Sequence, residues 1–437
     1  MNARAMLAVF LGWIAMTCAA EPPPRLVFAH YMVCIPTYGG GSKVADYQRE
    51  IREAQTRGID GFALNCGGWT VREPHYKKRT LLIYQAAKEL DTGFRLFLSA
   101  DYATGLTLDE TRDMIETFRD HPNQFRWQGK PVLSSFGGGR RITEFVKGPE
   151  FRGERAVFFV PFYYPTPAAE TPNRQQAEQV QKDHPELDGF FHFGAAGSPE
   201  KITHSNRILA DVWHRADRLF MAPVTPFYRG FGGNYRVYEC RGFEGLAAQW
   251  ECAIEAKAEW VEIVTWNDWG EASYIAPFGP PKQTEFWKGH WGAMLSHRGF
   301  LDLSSYYIAW YKQGKAPAIT KDRLFYAYQL HPRNVQSIVK PGKPERGRPR
   351  GADQLADRVF ATALLTAPAK LMIAIGDQSQ AFALAAGIHH VSVPLVPGTP
   401  QFTLRRSGKA LIDKTGEHTI SPANAWANFN VFTGSAE

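Results

Sequence analysis

The stretch Val261-Glu-Ile-Val-Thr-Trp-Asn-Asp-Trp-Gly-Glu271 joins a short apolar run to a cluster of polar and aromatic residues. The first half is rich in β-branched residues and predicts a buried strand. The second half places two carboxylates, Asp268 and Glu271, among two indoles and an amide. Paired carboxylates suit acid/base chemistry on sugars, and indole faces suit sugar stacking. The alternative is structural, because Asp-x-x-Glu spacing also occurs at helix starts: Asp268 would then cap a turn, and Glu271 would be a solvated loop residue.

Seven further apolar runs precede this one and alternate with amphipathic segments. The predicted strands are Leu26–Val33, Gly61–Leu64, Arg95–Ser99, Pro131–Phe136, Ala156–Pro161, Gly189–Phe193, Leu219–Val224 and Val261–Trp266. The helical segments between them are Val44–Arg57, Leu81–Leu90, Leu108–Arg119, Gln175–His184, Lys201–Ala216 and Glu244–Glu259. Strands that alternate with helices imply parallel pairing with right-handed crossovers. Eight such units are typical of a (β/α)8 TIM barrel, so we predict an α/β fold with this barrel over residues 21–319.

Two observations concern the rest of the architecture. A doubly wound open sheet is the alternative to the barrel, but Gly39-Gly40-Gly41 lacks the following glycine of a dinucleotide-binding turn. From residue 320 the pattern changes to short strands separated by turn residues, which is typical of an antiparallel sandwich. These strands are Phe360–Leu365, Lys370–Ile375, His389–Val393, Gln401–Arg405 and Lys409–Ile412. We therefore predict a smaller C-terminal β-sandwich domain over residues 320–437.

The first twenty residues predict a secretory signal peptide. A basic start at Arg4 precedes an apolar run from Ala5 to Met16, and small residues lead up to Ala20. This run is too short to span a membrane, and no later run reaches about 18 apolar residues. Cys18 leaves a lipoprotein anchor as an alternative. We expect a secreted or periplasmic protein with no membrane attachment after signal cleavage.

Cysteine count and charge limit the partners that we expect. Export leaves four cysteines, an even number that permits two disulfides in any of three connectivities: Cys34, Cys66, Cys240 and Cys252. The net charge of +7 is modest for 437 residues, and the basic run 340–350 has no interleaved aromatics. Nucleic acid is therefore not an expected partner. We expect a monomer.

Polar and aromatic residues collect where the predicted strands end, which in a barrel is the side of the active site. They are His30, Asn65, Asp101, Tyr102, His192, Tyr228, Trp266, Asn267, Asp268, Trp269 and Glu271. Three carboxylates, from the third and eighth strand ends, thus converge. One with a raised pKa can protonate a leaving oxygen while another activates water or attacks carbon. Each residue also has a structural reading: a helix cap for Asp101, an interior histidine for His30, and packing for the aromatic residues.

Five motifs, in this order, resemble glycoside hydrolase family 71, the endo-1,3-α-glucanases that are also called mutanases. They are Val27–Val33, Gly58–Asn65, Phe97–Asp101, Ala222–Tyr228 and Val261–Ile275. The most specific part is Trp-Asn-Asp-aromatic-Gly-Glu followed by Tyr274, which the resemblance places among the substrate-binding residues. The resemblance implies hydrolysis of internal α-1,3-glucosidic bonds with inversion. It further implies that Asp101, Asp268 and Glu271 occupy the positions of the catalytic carboxylates. Among them we expect Glu271 to be the general acid, Asp268 the base or water-orienting group, and Asp101 to stabilise oxocarbenium-like charge or share the base role.

One segment departs from the fungal pattern of that family. After the sixth strand the chain has Phe191-His-Phe-Gly-Ala-Ala-Gly197, which leaves the exact glucan open. Two alternatives remain: a related barrel that cleaves another α-linked glycan, and a carbohydrate-binding protein that has lost catalysis. The presence of all three carboxylates argues against the binder. We expect a polysaccharide, an α-glucan, as partner, and neither a metal nor a cofactor.

Overall fold

The first three-quarters of the chain alternates strands with helices. The computed structural model describes residues 24–277, 294–337, 348–424 and 429–437, so the predicted signal peptide, residues 1–20, lies outside the described residues. The strands of this part are β1 (Leu26–Met32), β2 (Gly61–Cys66), β3 (Arg95–Asp101), β4 (Arg126–Trp127), β5 (Lys130–Phe136), β6 (Phe158–Phe159), β7 (Gly189–Phe191), β8 (Leu219–Val224) and β9 (Trp260–Ile263). The helices are α1 (Val44–Gln55), α2 (His75–Leu90), α3 (Leu108–Phe118), α4 (Gly139–Val146), α5 (Arg174–Asp183), α6 (Pro199–Arg215), α7 (Glu244–Glu255) and α8 (Arg298–Gln313).

The strands of this part form one curled sheet. Its parallel strands follow the order β6-β5-β3-β2-β1-β9-β8-β7, and the short β4 pairs antiparallel with β5. These eight parallel strands are the eight that the sequence predicts. The backbone N–H of Phe191, in β7, donates to the carbonyl of Pro161, just after β6, at 2.9 Å. The two ends of the sheet thus touch, and the fold is mixed α/β of the TIM-barrel type.

Aromatic side chains fill the inside of the curled sheet near the amino ends of its strands. Phe28 of β1 contacts Phe97 of β3, although β2 lies between these strands, with ring centroids 4.9 Å apart. Phe28 also lies against Trp260 of β9. Because side chains alternate along a strand, His30 and Glu262 lie on the same inner side, one level nearer the carboxyl ends. The apolar floor of the interior therefore gives way to polar groups.

The last quarter of the described chain consists of strands. They are β10 (Arg323–Gln329), β11 (Gln336–Ser337), β12 (Arg358–Leu365), β13 (Ala369–Ile375), β14 (Gln378–Leu384), β15 (Gly387–Pro394), β16 (Gln401–Arg406), β17 (Lys409–Thr415), β18 (Ala423–Asn424) and β19 (Val431–Ala436). Two four-stranded antiparallel sheets have the orders β15-β12-β10-β19 and β14-β13-β16-β17, and β11 pairs with β18. All five strands predicted for this region are present.

Strand β10 contributes to two hydrophobic cores. Leu324, Tyr326 and Tyr328 belong to a core that both four-stranded sheets share, and Tyr326 stacks on Phe402 of β16 at 4.6 Å. The alternate residues of β10, Phe325 among them, belong to the core of the α/β part. This division follows from the two-residue period of a strand.

The disulfides that the sequence permits are not formed. Among the described residues Cys34, Cys66, Cys240 and Cys252 all have free thiols. The Cys66 thiol lies 3.4 Å from the Thr80 hydroxyl, and the Cys252 thiol donates to a backbone carbonyl at 3.4 Å. Burial raises the pKa of Cys34 to about 11 and that of Cys66 to about 12. The thiols are thus protonated groups packed within the fold.

None of the helices in the described ranges combines the length and apolar character that crossing a bilayer demands.

Candidate active site

The loop that follows β9 holds Asp268 and Glu271 in a fixed arrangement. Asp268 Oδ1 accepts a hydrogen bond from the Glu271 backbone N–H at 2.8 Å, and the Asp268 N–H donates to Thr265 Oγ1 at 2.8 Å. The Glu271 carbonyl accepts from the Arg229 N–H at 2.9 Å, which ties this loop to the one after β8. The Asp-x-x-Glu spacing is therefore used as a turn, and the same turn orients both carboxylates.

Asp101 is the last residue of β3, as the barrel reading predicts. Its Oδ1 accepts from the Ala103 N–H at 3.0 Å, and its Oδ2 accepts from Asn65 Nδ2 at 3.3 Å. The cap predicted as the structural alternative is present, at a short 3₁₀ turn over Tyr102–Thr104. The second oxygen is held by Asn65 from the tip of β2, so the structure brings these two predicted site residues together.

Burial raises the pKa of each of the three carboxyl groups. For Glu271 the largest cause is desolvation and the next is the charge of Asp268, and together they raise its pKa to about 8. Desolvation also raises the pKa of Asp268 and of Asp101, against hydrogen bonds that lower both values. Glu271 is therefore the carboxyl group best suited to carry a proton at neutral pH.

Tyr228 connects Glu271 to a charged pair on the facing loops. The Tyr228 hydroxyl donates to Glu271 Oε1 at 2.9 Å. The Arg236 guanidinium lies 5.8 Å from the centre of the Tyr228 ring and donates to Glu170 Oε1 at 2.6 Å. Both charges act on Glu271, since Glu170 raises and Arg236 lowers its pKa. The sequence reading misses Glu170 and Arg236, because neither lies at a strand end.

His30 lies beneath the carboxylates on β1. Its Nδ1 lies 2.6 Å from Oε1 of Glu262 on β9, and both side chains are fully buried. The imidazole is near enough for its charge to lower the pKa of Asp101 and of Asp268. Glu262 is absent from the sequence predictions, and its only signal is a charged residue within an apolar strand.

Four predicted substrate-binding residues of the eighth strand end instead form the frame of the site. Trp266 is completely buried and its indole donates to Glu50 of α1 at 2.8 Å. Asn267 accepts from the Met32 backbone and donates to the carbonyls of the β1 loop. Trp269 is 5% exposed and donates to one of those carbonyls, and Tyr274 is buried with its hydroxyl on the Leu295 carbonyl. The prediction that the indoles stack on sugar is wrong, because their faces are covered by protein.

The substrate-binding role predicted for His192 also needs correction. Both ring nitrogens of the buried His192 are engaged: Nδ1 with Asn206 at 2.7 Å and Nε2 with the Glu170 carbonyl at 2.9 Å. His192 therefore positions the Glu170 loop and has no nitrogen left for substrate. The Tyr102 hydroxyl is 2.7 Å from the Thr111 hydroxyl in α3 and helps to fix the connection after β3, and its contact with substrate stays a prediction.

Two exposed aromatic side chains lie where the buried tryptophans were expected to act. Phe231 is 42% exposed and Tyr164 is 39% exposed. The Phe231 ring packs on Gly270, such that a Cβ on that glycine would come within 3.2 Å of the ring and 3.4 Å of Asp268 Oδ1. The charges of Glu271 and Asp101 both raise the pKa of Tyr164, which places its hydroxyl near both carboxylates. These rings are suited to flank a bound sugar.

The chain is similar to known proteins in both sequence and fold. The sequence matches the profile of Glycosyl hydrolase family 71 over residues 23–437. A mutanase of Penicillium rubens is 28% identical over 431 residues, 96% of this chain and 90% of the relative. A glucan endo-1,3-alpha-glucosidase of Schizosaccharomyces pombe is 26% identical and covers 94% of each chain.

Among solved structures, the GH99 endo-alpha-mannosidase from Bacteroides thetaiotaomicron is similar in fold. It superposes with a TM-score of 0.50 at 15% identity, over 67% of this chain and 98% of that one. This likeness bears on the fold alone. The family profile, in contrast, spans nearly the whole sequence, and the chain therefore belongs to glycosyl hydrolase family 71, a family of glycosidases.

Proposed function

We propose that this glycoside hydrolase cleaves internal α-1,3-glucosidic bonds of an α-glucan and inverts the anomeric centre. The observation that carries the proposal is the buried carboxyl pair, in which desolvation and the charge of Asp268 raise the pKa of Glu271 to about 8. The names of the two relatives, a mutanase and a glucan endo-1,3-alpha-glucosidase, support the substrate class.

Glu271 is the general acid of this mechanism. Its raised pKa keeps the group protonated at neutral pH, which an acid needs before it can donate to the glycosidic oxygen. Because Tyr228 donates to Oε1, that oxygen acts as an acceptor and the proton belongs on Oε2. Tyr228 thus selects the oxygen from which the leaving group receives its proton.

Asp268 is the base that takes a proton from the attacking water. Backbone N–H groups donate to its carboxylate, the one from Glu271 at 2.8 Å, and they favour the ionised form. Asp101, held by Asn65 and Ala103, stabilises the positive charge that develops on the sugar ring. Water attacks the anomeric carbon on the face opposite the leaving oxygen, so inversion follows from a single displacement.

The architecture proposed with this function is a closed (β/α)8 barrel over residues 21–319 and a β-sandwich over residues 320–437. The hydrogen bond between Phe191 and Pro161 supports closure, and the core shared by the two four-stranded sheets supports a sandwich. We propose that residues 1–20 are removed on export and that the mature enzyme acts as a secreted or periplasmic monomer. N-terminal sequencing of exported protein and light scattering after gel filtration test both statements.

A substrate panel tests the activity. Purified enzyme is incubated with insoluble α-1,3-glucan, dextran, starch and mannan, and reducing ends are measured. We expect release from α-1,3-glucan, with oligosaccharides as early products and the β-anomer first by NMR. Release only from another polymer would favour the alternative α-glycan, and release from none would refute the proposal.

Three isosteric variants assign the activity to the site: Glu271→Gln, Asp268→Asn and Asp101→Asn. Each is expected to lower kcat at least about 100-fold, the scale of acid/base catalysis. The matched control is Glu251→Gln in helix α7, another glutamate whose pKa burial raises, and it should retain wild-type kcat. Binding of α-1,3-glucan by wild type without any hydrolysis would point to the non-catalytic binder.

A further inference from the structure

A buried histidine–glutamate pair lies below the proposed catalytic carboxylates. His30 of β1 and Glu262 of β9 lie on adjacent strands, and both side chains point to the inside of the sheet. Their contact, Nδ1 to Oε1 at 2.6 Å, is among the shorter hydrogen bonds of the interior. Neither side chain is exposed to solvent. Burying a carboxyl group and an imidazole in a core costs free energy of folding, which a functional role of the pair would explain.

One atom of each side chain is left over. His30 Nε2 and Glu262 Oε2 have no hydrogen-bond partner within the described part of the chain. Buried polar atoms without partners are uncommon in native proteins, and each costs about 1–3 kcal/mol. The Phe193 ring packs against the imidazole at 5.1 Å, and the imidazole lies within electrostatic reach of Asp101 and Asp268. The spare nitrogen thus lacks a partner within the described part of the chain and lies near both carboxylates.

The positions of the protons within the His30–Glu262 contact determine whether Nε2 is a donor or an acceptor. If the pair is ionised, the imidazolium carries hydrogens on both nitrogens. If the pair is neutral, the protonated Glu262 donates to Nδ1 and the ring hydrogen is on Nε2. Both states present an Nε2–H donor, and the nearby negative charges of Asp101 and Asp268 favour a donor over an acceptor. A third state, a neutral ring beside an ionised Glu262, would leave Nε2 as an acceptor.

We propose that Glu262 is a positioning residue that holds His30 with its Nε2–H aimed at a hydroxyl of the sugar ring bound between Asp101 and Asp268. The ligand class is a glucosyl hydroxyl, so this inference rests on the proposed function. His30 makes the contact, and Glu262 acts through His30. Removing either partner therefore removes the same hydrogen bond.

NMR of the wild-type enzyme tests the tautomer without any mutation in the pair. The protein is labelled with ¹⁵N-histidine, and the His30 signals are assigned by their disappearance in His30→Gln. We expect Nε2 to be protonated. An unprotonated Nε2 would overturn the proposal, whatever the activity of the enzyme.

Kinetics on soluble α-1,3-gluco-oligosaccharides tests the contact. Glu262→Gln is expected to lower kcat/KM about 10–100-fold, the loss for one hydrogen bond to substrate, and Glu262→Asp should restore part of it. A monodeoxy oligosaccharide that lacks the contacted hydroxyl should lower kcat/KM of the wild type by a similar factor. The same substrate should cause no further loss of kcat/KM in His30→Gln. Glu251→Gln is the control. The proposal would be overturned if Glu262→Gln kept the kcat/KM of the wild type. It would also be overturned if every deoxy sugar lowered kcat/KM of His30→Gln as much as it lowers that of the wild type.

The two proposals fail in different ways. An inactive wild type on every glucan refutes the function, while the NMR experiment still reads the tautomer. An active wild type with an unprotonated Nε2 refutes only the role of Glu262. If Glu262→Gln does not fold, as judged by near-ultraviolet circular dichroism, the wild-type NMR and the deoxy substrates decide.

Discussion

The buried Glu271 carboxyl leads to a prediction about stability. Replacing Glu271 with Gln should abolish hydrolysis and at the same time stabilise the protein at alkaline pH. Glutamine keeps the size of the side chain and an oxygen that can accept from Tyr228, whose hydroxyl lies 2.9 Å from Glu271 Oε1. It lacks the charge that burial and Asp268 make unfavourable. The substitution thus removes a cost to folding that the acid function requires.

The size of the effect follows from proton linkage. The pKa of Glu271 is about 8 in the folded chain, against an ordinary value of 4.5. Between these values the folded protein binds one proton that the unfolded chain has lost, so wild-type stability falls as pH rises. At about 1.4 kcal/mol for each pH unit, the full window gives an upper bound of about 5 kcal/mol. Asp268 bears part of the same desolvation and repulsion, so only part of this bound belongs to Glu271. We therefore expect the free energy of unfolding of the variant to be higher by about 2–4 kcal/mol.

Urea denaturation of wild type and Glu271→Gln at intervals from pH 4 to pH 9 measures this gain. The two free energies of unfolding should agree near pH 4, diverge up to pH 8 and run parallel above it. Asp322→Asn is the control of opposite sign, because the Arg406 side chain lowers the pKa of Asp322 to about 2. The loss of stability in Asp322→Asn should be constant from pH 4 to pH 9, and it should vanish when the measurements on that variant are extended down to pH 2. A gain for Glu271→Gln that is independent of pH would refute the reasoning.

Three further predictions follow from the site. Tyr228→Phe removes a hydrogen bond that lowers the pKa of the acid, so the alkaline limb of the kcat–pH profile should move to higher pH; a shift to lower pH would contradict it. Phe231→Ala removes an exposed ring beside the carboxylates and should raise KM for soluble oligosaccharides about 5–20-fold with little change in unfolding free energy; an unchanged KM would exclude sugar stacking. Trp266→Phe deprives Glu50 of an indole donor and should destabilise by about 1–3 kcal/mol in urea. That loss should be larger at pH 8 than at pH 6, because burial raises the pKa of Glu50 to about 7, and an equal loss would argue against it.

The parallel strands are predictable because both faces of the sheet are buried, the outer face under helices and the inner face among the side chains of the curled sheet itself. Buried parallel strands read as continuous apolar runs, and all eight are found within a few residues of their predicted bounds. Helix α4, Gly139–Val146, is missing from the prediction, since a glycine and two arginines at its start hide a short apolar face. Strand β6 covers only Phe158–Phe159, two residues inside each predicted bound.

The candidate site is less predictable from the sequence than the strands are. Asp101, Asp268 and Glu271 can be proposed from the sequence because few carboxylates lie at strand ends or in the loops that follow them. The indoles of the same motif mislead, because sequence gives the position of Trp266 along the chain and not the direction of its ring. Burial decides that direction, and it sends the indole to Glu50 of a distant helix. Glu262 is not predicted as a site residue, because the sequence does not show that this charged residue of an apolar strand lies against His30.

Because β10 contributes to two hydrophobic cores, the α/β part and the C-terminal sheets depend on each other. One face seals the catalytic part while the other closes the C-terminal sheets, so neither portion has a complete surface without the other. Cutting the chain before Arg323 would uncover Phe243, which packs on both Phe325 and Phe300, and would leave the remaining α/β piece prone to aggregation. Protein engineers would therefore treat the C-terminal sheets as part of the enzyme, to be transferred with it as one unit.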